Sequence, residues 1–246
     1  MTENAFEAVP GAPESKLLLL CDHASSALPP GMGSLGLKPE LFATHIAQDI
    51  GAAAVTRALA AAYGAPALLG AWSRLLIDLN RGADDPTIVM KLSDGSIIPG
   101  NRDADADEVA RRIALWHAPY HAAITSELDR MGPGAVIVSM HSFTPSWKGV
   151  PRPWAVGVLY DSDARLAAPL MARLDAAGFV VGDNEPYHGA LDGDTLNVHG
   201  IRRGLPHVLI EIRQDLVADN AMAQAFAVRL KPILDMALAD LKNPQE

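Results

Sequence analysis

Three short apolar runs, each ending on a residue with chemistry to offer, constrain this chain more than any other feature. Leu17-Leu18-Leu19-Leu20 leads into Asp22-His23, Ala135-Val136-Ile137-Val138 into His141, and Val208-Leu209-Ile210 into Glu211. Continuous apolar runs of this length, bounded by polar or turn residues, read as buried strands of an α/β sheet. Such sheets bind ligands just beyond the carboxyl ends of their strands. Two imidazoles and a carboxylate are thereby predicted to meet in one crevice. That set suits a mononuclear zinc hydrolase, in which neutral imidazoles ligate the metal and a non-ligand carboxylate takes a proton from water.

The remaining pattern alternates strands with helices, which predicts the α/β class. Strands are expected near 16–21, within 67–79, and at 135–140, 155–160, 179–181 and 207–212. Helices are expected near 39–63, 106–130, 162–177 and 220–241. In the first of these helices, Pro39 stands near the first turn and Gly64 lies past the end. Its members His45 and Asp49 stand four apart and would share a face. The segment from Gly82 to Asp107, rich in turn residues, is longer than compact domains usually carry and reads as a candidate active-site lid. The strand–helix–strand unit over 155–181 favours parallel pairing.

At 246 residues the chain suffices for one large core. It reads as a flexible tail over residues 1–15 followed by a single domain over 16–246. A formal charge of -9, with no extended Lys/Arg cluster, argues against nucleic acid as a partner. Cys21 is the only cysteine, so no intramolecular disulfide can form, and its place at a strand end suits a small core residue better than a nucleophile. The first sixteen residues lack the pattern of a signal peptide, and no apolar stretch is long enough to span a bilayer. A cytoplasmic protein with a small-molecule partner and no membrane association is the expectation; the sequence leaves the oligomeric state open.

Several side chains could carry chemistry, and each has a plainer reading beside it. His23 and His141 are far apart in sequence and could be core histidines; Asp49 or His45 could supply a third metal ligand or face solvent. His117 and His121 form an i, i+4 pair interrupted by Pro119, without the glutamate of a metalloprotease helix, and suit substrate contact or a supporting hydrogen bond better than metal binding. Arg74 and Arg81 flank an apolar segment and could clamp a carboxylate, steady a developing oxyanion, or pair with Asp78, Asp84 or Asp85. Arg202 and Arg203, near His199, could face an anionic substrate or water. Glu211 between Ile210 and Ile212 is costly unless paired or functional, and an ion pair with Arg213 on the same strand face is the alternative.

Together these residues resemble the N-formylglutamate amidohydrolase family from about Leu17 to Leu241. The carrying motifs are Cys21-Asp22-His23-Ala24-Ser25, the segment His45 to Ala52, the segment Ser73 to Arg81, Trp116 to His121, Met140-His141-Ser142-Phe143, and Leu209 to Gln214. The family resembles a branch of the zinc carboxypeptidase and aspartoacylase superfamily, which implies a three-layer fold with a mixed, mostly parallel central sheet between helices. The resemblance implies zinc held by His23 and His141. Carboxypeptidases carry a Glu three residues after the first His; Ser26 stands there in this chain, and Asp49 is placed ahead of Asp22 as the third ligand. Glu211 resembles the superfamily's general base and Arg74 its carbonyl-polarising arginine. Asn80-Arg81 resembles its substrate-carboxylate pair, while Arg202 and His121 are candidate substrate contacts. The implied reaction is hydrolysis of an N-formyl or N-acyl amino acid, N-formylglutamate-like, to formate and the free amino acid. A zinc carboxypeptidase-like peptidase on small peptides and an inactive anion-binding homologue are the rival readings. No Gly-x-Ser-x-Gly elbow supports a serine hydrolase.

Overall fold

The computed structural model describes residues 4–242. In chain order the strands and helices are β1 (Phe6–Val9), β2 (Leu17–Cys21), α1 (Ala52–Tyr63), β3 (Ala67–Gly70), β4 (Leu92–Ser93), β5 (Ser96–Ile97), α2 (Ala106–Arg112), α3 (Ala118–Met131), β6 (Val136–Phe143), β7 (Ser146–Trp147), β8 (Val150–Pro151), β9 (Val156–Leu159), α4 (Ala167–Ala176), β10 (Val181–Asp183), β11 (His207–Arg213) and α5 (Asn220–Lys242). Seven strands form one sheet in the order β1-β3-β2-β6-β11-β9-β10. β3, β2, β6 and β11 run parallel, β9 is antiparallel to β11 and parallel to β10, and β1 is antiparallel to β3. The sheet is therefore mixed and mostly parallel, with helices on both faces.

The leucine run explains the layering. Leu17, Leu19 and Cys21 enter one core with α1, α4 and α5, whereas Leu18 and Leu20 enter the opposite core with α3. A strand buried on both faces must be apolar at every position, which is what the sequence provides. No helix among the described residues is long and apolar enough to cross a membrane.

Four local expectations are corrected. Residues 6–9 are not part of a flexible tail: they pair with 67–70 as the edge strand β1, while residues 1–3 lie outside the described residues. The helix expected over 39–63 is broken. A single 3-10 turn spans Pro39–Ala43, an irregular stretch follows, and α1 starts only after Gly51. Gly51 has φ of 80° and lies against Val217, whose carbonyl oxygen a Cβ would meet at 2.2 Å. Only glycine combines that left-handed conformation with so close an approach.

The third correction concerns 67–79, where the strand stops at Gly70. The hydroxyl of Ser73 accepts the backbone N–H of Leu75 at 3.2 Å, and Leu76 N–H bonds Ser73 O at 2.9 Å, so the chain turns instead of extending. The fourth concerns the lid. Residues 82–107 form the small β4–β5 hairpin and a turn pinned by buried Asn101, whose amide donates to Leu75 O and Met90 O at 2.8 Å each. None of them lines the central cavity. The helix expected over 106–130 is present but passes through a wide π turn at Ile113–His117, just before Pro119 removes a backbone donor.

Candidate active site

β2, β6 and β11 deliver their terminal groups to a cavity of about 490 Å³ at one end of the sheet. His23 follows β2 by two residues. His141 lies within β6, which runs on to Phe143, and Glu211 is its direct neighbour across the parallel ladder to β11. The broken helix supplies Asp49: its backbone N–H bonds His23 O at 3.0 Å, an approach that a continuous helix would have consumed in its own ladder.

His23, Asp49 and His141 are all buried, and one potential ligand atom from each lies within 4.8 Å of the others. Asp49 Oδ2 stands 2.8 Å from His141 Nδ1 and 3.4 Å from His23 Nδ1. The opposite ring nitrogens are committed elsewhere. His23 Nε2–H donates to Asp78 Oδ1 at 2.7 Å, and His141 Nε2–H donates to Asp22 Oδ2 at 3.0 Å. Each imidazole is thus oriented by a carboxylate behind it, leaving its Nδ1 lone pair directed at Asp49. Three electron-rich atoms gathered in this way are reconciled only by positive charge, supplied by protons or by a metal ion. The donor set, with carboxylates behind both imidazoles, fits a divalent metal centre.

The electrostatics follow from burial and pairing. Burial works to raise the pKa of Asp22, but the hydrogen bond and charge of His141 outweigh it and hold the group at about 2. Burial likewise opposes ionisation of Asp49 and Asp78, yet their imidazole and arginine neighbours pull both below the usual carboxylate range. His141 is driven the other way: burial disfavours its charge, and the bonds to Asp22 and Asp49 raise its pKa well above the ordinary value.

Glu211 stands apart from these carboxylates. It is 5% exposed, its Oε2 has no hydrogen-bond partner among the described residues, and burial pushes its pKa up to about 7. The ion pair with Arg213 does not form, because Arg213 Nε bonds Asp215 Oδ1 at 2.7 Å instead. Arg74 reaches the cavity while bridging Asp49 Oδ1 at 3.4 Å and Asp78 Oδ2 at 2.8 Å. Asn80 and Arg81 also line the cavity. Asn80 Oδ1 accepts Thr195 N–H at 3.1 Å, leaving its amide nitrogen for a ligand. Arg81 Nη1 donates to Asn80 O at 3.2 Å, and its Nε makes a loose ion pair, 3.9 Å from Asp85.

Two candidate contacts fall elsewhere. Arg202 lies on the surface paired with Asp192 at 2.9 Å, and Arg203 pairs with Asp129; neither lines the cavity. The irregular stretch that carries them turns their side chains outward. His121 sits behind the wall, with both nitrogens used: Nε2–H donates to Leu79 O at 3.0 Å, and Nδ1 is 2.9 Å from His199 Nε2. His117 Nε2–H donates to Arg81 O at 2.9 Å, so the two histidines brace the backbone on either side of Asn80. Asp78 is the site residue that sequence reasoning weighed only as an arginine partner. Its place four residues before the turn at Gly82, in Asp78-Leu79-Asn80-Arg81, gave no spacing signal towards His23. His45 lines the cavity, its Nε2 3.2 Å from Asp94 Oδ2 on the β4–β5 hairpin, and stands outside the His23, Asp49 and His141 group.

Residues 15–218 match the family model described as N-formylglutamate amidohydrolase. The chain belongs to the N-formylglutamate amidohydrolase family. A gene product of Agrobacterium tumefaciens with a known crystal structure is similar over 98% of this chain and 97% of its own, at 34% identity and a TM-score of 0.92. An N-formylglutamate amidohydrolase from Ralstonia eutropha JMP134 shares the fold over 97% of both chains, at 20% identity and a TM-score of 0.68. No curated protein matches the chain significantly. Membership of this amidohydrolase family accords with a hydrolase that takes a small-molecule substrate.

Proposed function

We propose that this protein hydrolyses the amide bond of an N-formyl, or more broadly N-acyl, amino acid, with zinc held by His23, Asp49 and His141. The observation that carries the reading is the unpartnered, buried carboxylate of Glu211 in the same cavity as the His-Asp-His gathering. A zinc ion bound there supplies Lewis acidity, easing ionisation of water and polarising a carbonyl oxygen.

The chain's own groups do the rest. Glu211, its pKa lifted towards neutrality by burial, accepts the proton of the attacking water and returns it to the leaving amine. Arg74 presents a fixed positive charge to the oxygen that becomes negative as the carbonyl is attacked. Arg81 and the free amide nitrogen of Asn80 hold the substrate's α-carboxylate, and His117 and His121 keep that loop in place. The products are formate, when the acyl group is formyl, and the free amino acid.

A zinc carboxypeptidase-like peptidase would share the metal, the base and the carboxylate clamp. Substrate comparison separates the two: the zinc-loaded protein is expected to release formate from N-formyl amino acids at least about a hundredfold faster, by kcat/KM, than it cleaves dipeptides. Equal or faster dipeptide cleavage would replace this reading with the peptidase one.

A further inference from the structure

Asn80 and Arg81 are backed by a residue that does not itself reach the cavity. Thr195 is fully buried and does not line the cavity, although its neighbours Asp194 and Leu196 do. The chain around it is fixed locally. Asp194 Oδ1 accepts Asn197 N–H at 2.7 Å, and Asn197 Oδ1 accepts Gly193 N–H at 3.1 Å, a reciprocal pair that works as a capping box does. Gly193 lies backbone to backbone against Gly82, so close that a Cβ on it would stand 3.0 Å from Gly82 Cα. The segment 193–197 is therefore a firm support for the loop that carries Asn80 and Arg81.

Thr195 makes two bonds of different consequence. Its backbone N–H donates to Asn80 Oδ1 at 3.1 Å. An N–H can face only the oxygen of that amide, so the bond decides which way the amide is turned and leaves its NH2 donors for the substrate. A flipped amide would set an oxygen against the substrate's α-carboxylate and replace attraction by repulsion. The Thr195 hydroxyl lies 3.0 Å from Asp22 Oδ1 and 3.2 Å from Leu79 O. Leu79 O already accepts His121 Nε2–H, so the single hydroxyl proton goes to the ionised carboxylate, the closer and stronger acceptor. Tyr120 O–H donates to the same oxygen of Asp22 at 3.0 Å; His141 Nε2–H at 3.0 Å and Ser139 O–H at 3.3 Å donate to the other. Four donors fill the acceptor sites of one buried carboxylate and fix it in place. Asp22 is also the group that orients His141, so Thr195 ties the Asn80 amide to the same anchor as that imidazole.

We propose that Thr195 is a positioning residue for the α-carboxylate clamp: its hydroxyl, anchored on Asp22, holds its backbone N–H where it turns the Asn80 amide towards the substrate carboxylate. The assignment rests on the amidohydrolase reading above and adds a residue that acts on the substrate only through Asn80.

The test compares zinc-loaded wild type, Thr195→Val and Thr195→Ser on N-formyl-L-glutamate and on its α-amide, which lacks the charge that the clamp holds. Val keeps the shape of Thr without the hydroxyl; Ser keeps the hydroxyl. Wild type is expected to favour the free α-carboxylate by about 10- to 100-fold in kcat/KM, the contribution of hydrogen bonds to a charged group. Thr195→Val should lower kcat/KM on N-formylglutamate by about tenfold, chiefly through KM, and leave the α-amide within about threefold. Thr195→Ser should stay within about threefold of wild type on both. In an Asn80→Ala background the loss caused by Thr195→Val should disappear, as a residue acting only through Asn80 requires. A Thr195→Val protein that slows both substrates equally or leaves the KM for N-formylglutamate unchanged, a serine that fails to restore it, or a loss that persists without Asn80 overturns the assignment. Where Thr195→Val does not fold, Thr195→Ala, which removes the hydroxyl without setting a methyl against Asp22, is read by the same criteria. Absence of hydrolysis with either substrate would instead sink the amidohydrolase reading. Calorimetry with the same two compounds would then decide the assignment: a wild-type preference for the free α-carboxylate that Thr195→Val abolishes and Thr195→Ser keeps supports it, and equal wild-type affinities or a preference that Thr195→Val leaves intact overturn it.

Discussion

Burial without a partner makes Glu211 a different acid from the other carboxylates around it. Asp22, Asp49 and Asp78 are ionised because imidazoles or an arginine face them, whereas Glu211 retains a proton until about pH 7 in the metal-free protein. Its folded pKa is above its unfolded value, so it contributes stability below about pH 4.5 that is lost as pH rises through 7. Glu211→Gln is therefore expected to stabilise the metal-free protein at pH 8, by an amount on the order of 3 kcal/mol, and to change little at pH 4. The same variant should keep its zinc and lose about 10²- to 10⁴-fold in turnover. Denaturant melts at the two pH values, metal content and formate release check these outcomes together; near-normal turnover would remove Glu211 from the base role. His23, His141 and Glu211 were legible in the sequence because each stands at or near the end of an apolar run, where burial forces a polar residue to have a purpose. Asp78 was not, since its bond to His23 crosses 55 residues, and Arg202 misled because irregular chain gives no clue to side-chain direction.

At the scale of elements, the site depends on a helix that stops. The periodicity of 39–63 suits one long helix, and alanine-rich sequence does little to contradict it, yet Gly51 at φ 80° and its contact with Val217 separate α1 from the segment that carries Asp49. Gly51→Ala is predicted to cost at least about 2 kcal/mol, from the left-handed conformation and the clash, and to weaken zinc binding through displacement of Asp49. Chemical denaturation and zinc titration read the two effects; a variant of wild-type stability and zinc affinity would contradict them. β1 escaped sequence reasoning for a similar reason. Four residues with mixed exposure carry little pattern, and only pairing with β3 makes them a strand. The β9–α4–β10 unit was legible because an apolar strand, a helix and the apolar run at 179–181 favour parallel pairing, although the second strand forms two residues later, at Val181–Asp183.

Across the whole molecule, the sheet order places the ends of β2, β6 and β11 side by side, so residues separated by more than a hundred positions share one cavity. Motif order along the chain carried the family resemblance, and the fold turns that order into proximity. We propose that this cavity is a zinc-dependent amidohydrolase centre. Formate release from N-formyl-L-glutamate by the purified protein, assayed with zinc content before chelation, after chelation and after zinc is returned, tests this. One zinc per chain at the start, loss of formate release on chelation, and recovery with zinc are expected. Formate release that continues at full rate from protein stripped of metal would contradict it.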